Sequence, residues 1–73
     1  MQIGTIIRKY RLEKNLTQEE VARRLGVTAP AVNKWEKGNS MPDITLLSPL
    51  ARLLDITLDT LLSHTDSLSD EEA

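Results

Sequence analysis

A chain of 73 residues, 40% hydrophobic and 27% charged, makes one small domain with a modest core, near the lower limit for folding alone. No cysteine and only one histidine, His64, are present. That excludes disulfides, thiolate metal sites and a cysteine nucleophile.

The net charge of −2 argues at first sight against a polyanionic partner, but the charge is unevenly spread. Residues 1–40 hold eight Lys/Arg against four Asp/Glu, a net of +4, whereas residues 41–73 hold Arg52 alone against seven acids, a net of −6. Such a division hints at a polyanion-binding face beside an acidic tail, although a solvated surface can carry the same charges. The opening MQIGTIIRKYRL has no signal-peptide apolar region, and no apolar run approaches a membrane span. The expectation is a soluble cytoplasmic protein with no membrane partner.

In chain order, residues 3–14 read as a helix with Ile3, Ile7 and Tyr10 on its inner face and Asn15 at its end. Leu12 falls off that stripe and is expected at the surface. In TQEEVARRLG, Thr17 followed by Glu20 fits a capping box. Val21, Ala22 and Leu25 form the apolar stripe, and Gly26 suits a left-handed C-cap. A third helix is predicted from Thr28, or from Ala29 if that residue is the cap, to Gly38. Pro30 costs little in its first turn, where the backbone N–H has no partner inside the helix.

NSMPD is a loop. Residues 44–54 then place Leu47, Leu50, Ala51 and Leu54 at helical spacing, with Pro49 interrupting. Either Ser48 caps a helix with Pro49 at its first position, or a turn at 44–47 runs into the helix, and the second is favoured. Thr57 caps a last short helix with Leu58, Leu61 and Leu62 inward. Residues 64–73 have no apolar periodicity and read as an acidic disordered tail or the start of a linker. The fold class is all-α, five short helices around one core, with the domain spanning residues 1–63.

A helix capped at Thr17, a glycine turn and a helix from Thr28 make a helix-turn-helix unit. Its second helix shows the outside small groups, an amide and ammoniums. Ala29 and Pro30 permit close approach to a base edge. Asn33 offers both a donor and an acceptor, as adenine requires, and Lys34 can donate to guanine O6 or N7. Gln18 can reach a phosphate from the start of its helix, followed by Lys37, the Gly38 backbone and Asn39. Trp35 shares a face with Val32 and is expected in the core. Helix pairs of this kind also occur in proteins that never touch DNA, so spacing alone leaves both readings open.

The segment LTQEEVARRLGVTAPAVNKWEKG, with Arg11 before it, closely resembles the Cro and phage-repressor-like family, often called the Xre family, over about residues 3–63. The resemblance implies a lambda-repressor-like bundle and a sequence-specific transcription regulator, typically a repressor, bound to double-stranded operator DNA. Carried over by position, Thr28, Ala29, Pro30, Asn33 and Lys34 stand where base readers stand, and Gln18, Lys37, Gly38 and Asn39 where phosphate contacts stand. Arg11 and Glu36 are expected to meet as an ion pair that orients the recognition helix.

Two departures matter: Ala29 and Pro30 replace the longer polar groups of some relatives, and loop 39–43 lacks basic residues. Both throw weight onto Asn33, Lys34 and DNA shape. No enzyme, cofactor or metal is implied, and His64 reads as solvated. The chain is expected to be a monomer in solution that pairs on DNA, and the N-terminal part of a longer protein supplying a dimerisation region. The rival reading is a protein-interaction module of the same fold, such as an antitoxin or regulatory partner binder, using the Leu12 surface and the acidic last helix.

Overall fold

The computed structural model describes residues 3–62, which form five helices and no strand. His64 and the acidic segment 64–73 lie outside the described residues. The helices are α1 (Ile3–Glu13), α2 (Gln18–Leu25), α3 (Ala29–Lys37), α4 (Ile44–Leu54) and α5 (Leu58–Leu61). Ile3 and Ile7, Val21 and Ala22, Val32 and Trp35, Leu50, Ala51 and Leu54, and Leu61 make one buried cluster to which every helix contributes. This is the expected five-helix all-α bundle.

Each helix boundary has a local chemical cause. Thr17 Oγ1 accepts from the Glu20 N–H at 3.0 Å, and the Glu20 carboxylate accepts from the Thr17 N–H at 2.8 Å. That reciprocal box occupies two otherwise orphan donors. The Thr17 N–H also holds the Glu20 carboxyl below its ordinary pKa. Thr28 caps α3 and Thr57 caps α5 through the same hydroxyl-to-backbone contact. At the other ends, Asn15, Gly26, Gly38 and Asp55 all take positive φ. The following residue then donates back across the last turn: Leu16 to Arg11 O, Val27 to Ala22 O, Asn39 to Lys34 O and Ile56 to Ala51 O. Four successive helices therefore stop in the same left-handed motif, which satisfies carbonyls the helix leaves open.

Two expectations are corrected. The turn favoured at 44–47 is the first turn of α4 itself, and Ser48, the alternative cap, caps nothing: its hydroxyl accepts from Arg52 Nη2 at 3.3 Å. Instead α4 starts at Ile44 behind the Asp43 cap and continues through Pro49. An interior proline removes one helix hydrogen bond and costs about 3 kcal/mol. Pro49 is on the exposed side, so the freed carbonyl can turn to water, while Leu50, Ala51 and Leu54 bury the opposite face. Leu58, expected inward, is 43% exposed, and Leu61 alone is fully buried from α5. Leu62, just past the helix, packs partly buried against the core, so only Leu58 of the three leucines turns away from it.

Helix α1 reaches α3 through Gly4. A Cβ at Gly4 would stand 2.1 Å from the Trp35 carbonyl oxygen and 3.0 Å from that of Glu36. Both obstacles are backbone, so a methyl group could enter only by pushing the helices apart. Gly4→Ala should therefore lower stability by about 3 kcal/mol, at the upper end of overpacking penalties. Urea unfolding followed by circular dichroism checks this; a loss below about 0.5 kcal/mol, ordinary for surface changes, would mean the α1–α3 approach is not tight.

Candidate nucleic-acid interface

The α2–turn–α3 unit is held from behind by a buried charge pair. Arg11, on the face of α1 that carries Gly4 and Ile7, points at the end of α3. Its Nε donates to Glu36 Oε2 at 2.6 Å and its Nη2 to Oε1 at 3.1 Å. A third donor, Nη1, reaches the Leu16 carbonyl at 2.8 Å. The side chains are 10% and 2% exposed. Both oxygens of Glu36 thus meet one planar fork, a geometry that lysine could not supply. The pair expected between these residues is present, and it joins the end of α1 and the approach to α2 to the last turn of α3.

Two further bonds extend this pair toward the surface. Gln18 Nε2 donates to Glu36 Oε1 at 3.0 Å, and Asn33 Nδ2 donates to Gln18 Oε1 at 3.3 Å. Arg11, Glu36, Gln18 and Asn33 therefore form one chain of donors and acceptors crossing α1, α3, α2 and back to α3. From sequence, Gln18 and Asn33 carry separate tasks; in the structure they touch. No local signal could have joined them, because 15 residues and a turn separate the two.

The remaining candidates lie along one side of α3. Thr28, Pro30, Lys34 and Lys37 are exposed, and Ala29 and Asn33 are half-buried. Thr28 Oγ1 accepts from Ala31 N at 3.3 Å, which leaves its hydroxyl proton free to donate. At the far end, the Gly38 N–H donates to Trp35 O and the Asn39 N–H to Lys34 O. The donors left there are the Lys37 ammonium and the Asn39 side-chain amide. Trp35, only 4% exposed, belongs to the core.

An open groove of about 630 Å³ lies between the end of α1, the turn into α2 and the start of α2, lined by Leu12, Leu16, Thr17 and Gln18 among others, with Ala29 of α3 at its edge. The Gln18 and Glu19 backbone N–H groups at the start of α2 have no partner among the described residues, and such donors attract anions. Glu19 and Glu20 stand in the same turn and oppose that attraction. Among the described residues no cluster of His, Asp or Glu could hold a metal ion, and no helix is long and apolar enough to cross a membrane.

The sequence matches known proteins. The Helix-turn-helix family model matches residues 7–61. The chain is 36% identical over 63 residues to the HTH-type transcriptional activator BcrR of Enterococcus faecalis, covering 86% of this chain and 31% of that protein. It is 33% identical over 66 residues to the cryptic phage CTXphi transcriptional repressor RstR of Vibrio cholerae, covering 90% and 60%. It is also 34% identical over 58 residues to multiprotein-bridging factor 1 of Debaryomyces hansenii, covering 80% and 39%. The chain therefore spans about a third of BcrR and no more than 60% of any of the three.

Removing one side of the buried pair leaves the other charge without a counterpart, which typically costs 3–5 kcal/mol. Glu36→Ala should accordingly destabilise the fold by about 3 kcal/mol, and it also strips Gln18 of its acceptor. Chemical denaturation measures this directly. A variant within 1 kcal/mol of the parent would show that the pair does not hold α3 in place.

Proposed function

The chain belongs to the helix-turn-helix family of transcription regulators, in its Xre, phage-repressor-like branch, and on that premise we propose that it binds double-stranded operator DNA by laying α3 in the major groove and acts as a repressor by occupying the site. The observation that carries this reading is the outward side of α3. Its first turn offers only the small groups of Ala29 and Pro30, and its middle offers Asn33 and Lys34. A face that is slim at the helix start and polar beyond it suits entry between phosphate walls, with readout by an amide and an ammonium.

Roles follow from chemistry and position. Asn33 reads adenine, Lys34 donates to guanine, and Thr28, Ala29 and Pro30 make the close contacts at the start of the helix. Gln18, through the N–H that Glu36 leaves free, contacts phosphate, as do Lys37 and the Asn39 amide, with Gly38 setting the turn. A single recognition helix covers few base pairs, so two copies bind half-sites about one helical turn apart. Residues 1–63 are the binding module.

One observation favours a second reading. Similarity to a multiprotein-bridging factor, together with Leu12 at 47% and Leu58 at 43% exposure, suits a protein-interaction module. Salt dependence separates the two, because neutralising phosphates releases counterions and apolar docking does not.

Selection of bound duplexes from a random pool should return a half-site. On that site Asn33→Ala and Lys34→Ala should each cost about 1–3 kcal/mol, with little effect on unrelated DNA. Lys37→Ala should weaken all sequences alike and lower the salt slope by about one. A pool that returns no common sequence would count against operator binding, and equal losses on every sequence for Asn33→Ala would count against direct readout.

A further inference from the structure

The chain of bonds from Arg11 to Asn33 has a direction. A carboxylate only accepts, whereas a side-chain amide donates from one end and accepts at the other. Glu36, met by the Arg11 fork, must therefore face the nitrogen end of Gln18, and it does so at 3.0 Å. The Gln18 oxygen is then turned away from Glu36 and toward the middle of α3. Asn33 can meet that oxygen only with its own nitrogen end, which it does at 3.3 Å. The Asn33 oxygen and one remaining N–H are left for the groove. That combination matches the N6 donor and N7 acceptor of adenine, and it mismatches guanine, which offers two acceptors.

We propose that Gln18 is a specificity-determining positioning residue: it transmits the polarity of the buried Glu36 carboxylate to the Asn33 amide and so sets which base Asn33 accepts. The proposal rests on the reading of α3 as the base-contacting helix. It adds that the choice of base is set partly by a side chain on α1 and α3's own buried end, neither of which meets the base. Without Gln18, the Asn33 amide can turn over and offer its nitrogen end, and a wrong base is penalised less. With an amide in place of the Glu36 carboxylate, the relay inverts. The new carbonyl stays on Arg11 Nε, the closer of its two donors, and the new nitrogen takes the Oε1 position, where the bond from Arg11 Nη2 is lost and the nitrogen faces Gln18. Gln18 must then turn its oxygen inward and its nitrogen toward Asn33, so that Asn33 accepts with its oxygen and leaves only N–H groups outward. Such a face suits guanine O6 and N7.

The test uses the 73-residue chain, duplexes selected from a random pool, and competition binding with each base pair in turn at every position. Asn33→Ala first identifies the position whose preference Asn33 sets. At that position Gln18→Met should reduce discrimination for adenine roughly fivefold, the worth of about one net hydrogen bond. Discrimination elsewhere in the site should not change. Glu36→Gln should move the preference at the same position from adenine toward guanine. Thermal melts establish that each variant is folded. If Glu36→Gln is not, Gln18→Met decides alone, since it keeps the ion pair and a side chain of similar length. Discrimination within twofold of the parent for a folded Gln18→Met, or a loss spread equally over all sequences, overturns the relay while leaving specific binding intact. A parent chain that selects no duplex overturns the underlying reading, and the relay with it.

Discussion

The contact between Arg11 and Glu36 organises this protein. A domain this small has one core and few residues to orient a functional helix against it. Two buried, oppositely charged planar groups supply orientation that apolar packing alone does not, because the fork of three donors accepts few arrangements. The buried charges add little net stability over well-packed apolar groups, since desolvation offsets most of their attraction. Their contribution is geometric. Gly4 works toward the same end two turns earlier on the same face of α1, where the absence of a Cβ lets the helix lie against the Trp35 and Glu36 carbonyls. One face of α1 thus carries a glycine and an arginine, seven residues apart, that both address the last turn of α3.

Much of the fold was legible because its punctuation is local. Thr17 with Glu20, Thr28 with Pro30, Gly26 and Gly38 each act on backbone groups within a few residues, so residue type and spacing define them. The core positions of α2 and α3 follow from helical periodicity for the same reason. Pro49 was harder. Whether an interior proline breaks a helix depends on what the rest of the helix buries and on where its freed carbonyl points, and both are tertiary facts. Leu58 was misread because periodicity assumes a helix long enough to have a face. Gly4 was overlooked since nothing within one turn of it shows what lies across from it.

The candidate site divides along the same line. Residue types along α3 and at the start of α2 point to an anion-facing surface, and the Arg11–Glu36 pair entered through family resemblance. What was not legible is that Gln18 and Asn33 are joined to that pair. Hydrogen bonds between side chains 15 and 18 residues apart leave no periodic trace, and an amide carries no mark of which end faces which partner. The sequence reading treated phosphate contact and base contact as separate duties. In the folded chain, Gln18 lies between Asn33 and the buried Glu36.

That junction matters more here than in a recognition helix rich in donors. Ala29 and Pro30 fill the first turn of α3 with groups that cannot donate or accept from their side chains. If α3 reads bases as proposed, discrimination among base pairs falls to few polar groups. Lys34 is a flexible point charge whose three donors rotate freely, so it selects acceptors without selecting their arrangement. Asn33 is the α3 residue able to distinguish a donor beside an acceptor from two acceptors, and it does so only if its two ends are told apart. An amide free to turn over would present either pattern at little cost. In the proposed relay, a directed chain of bonds, anchored at a carboxylate that cannot donate, removes that freedom before any ligand arrives, and a sparse surface can thereby be a selective one.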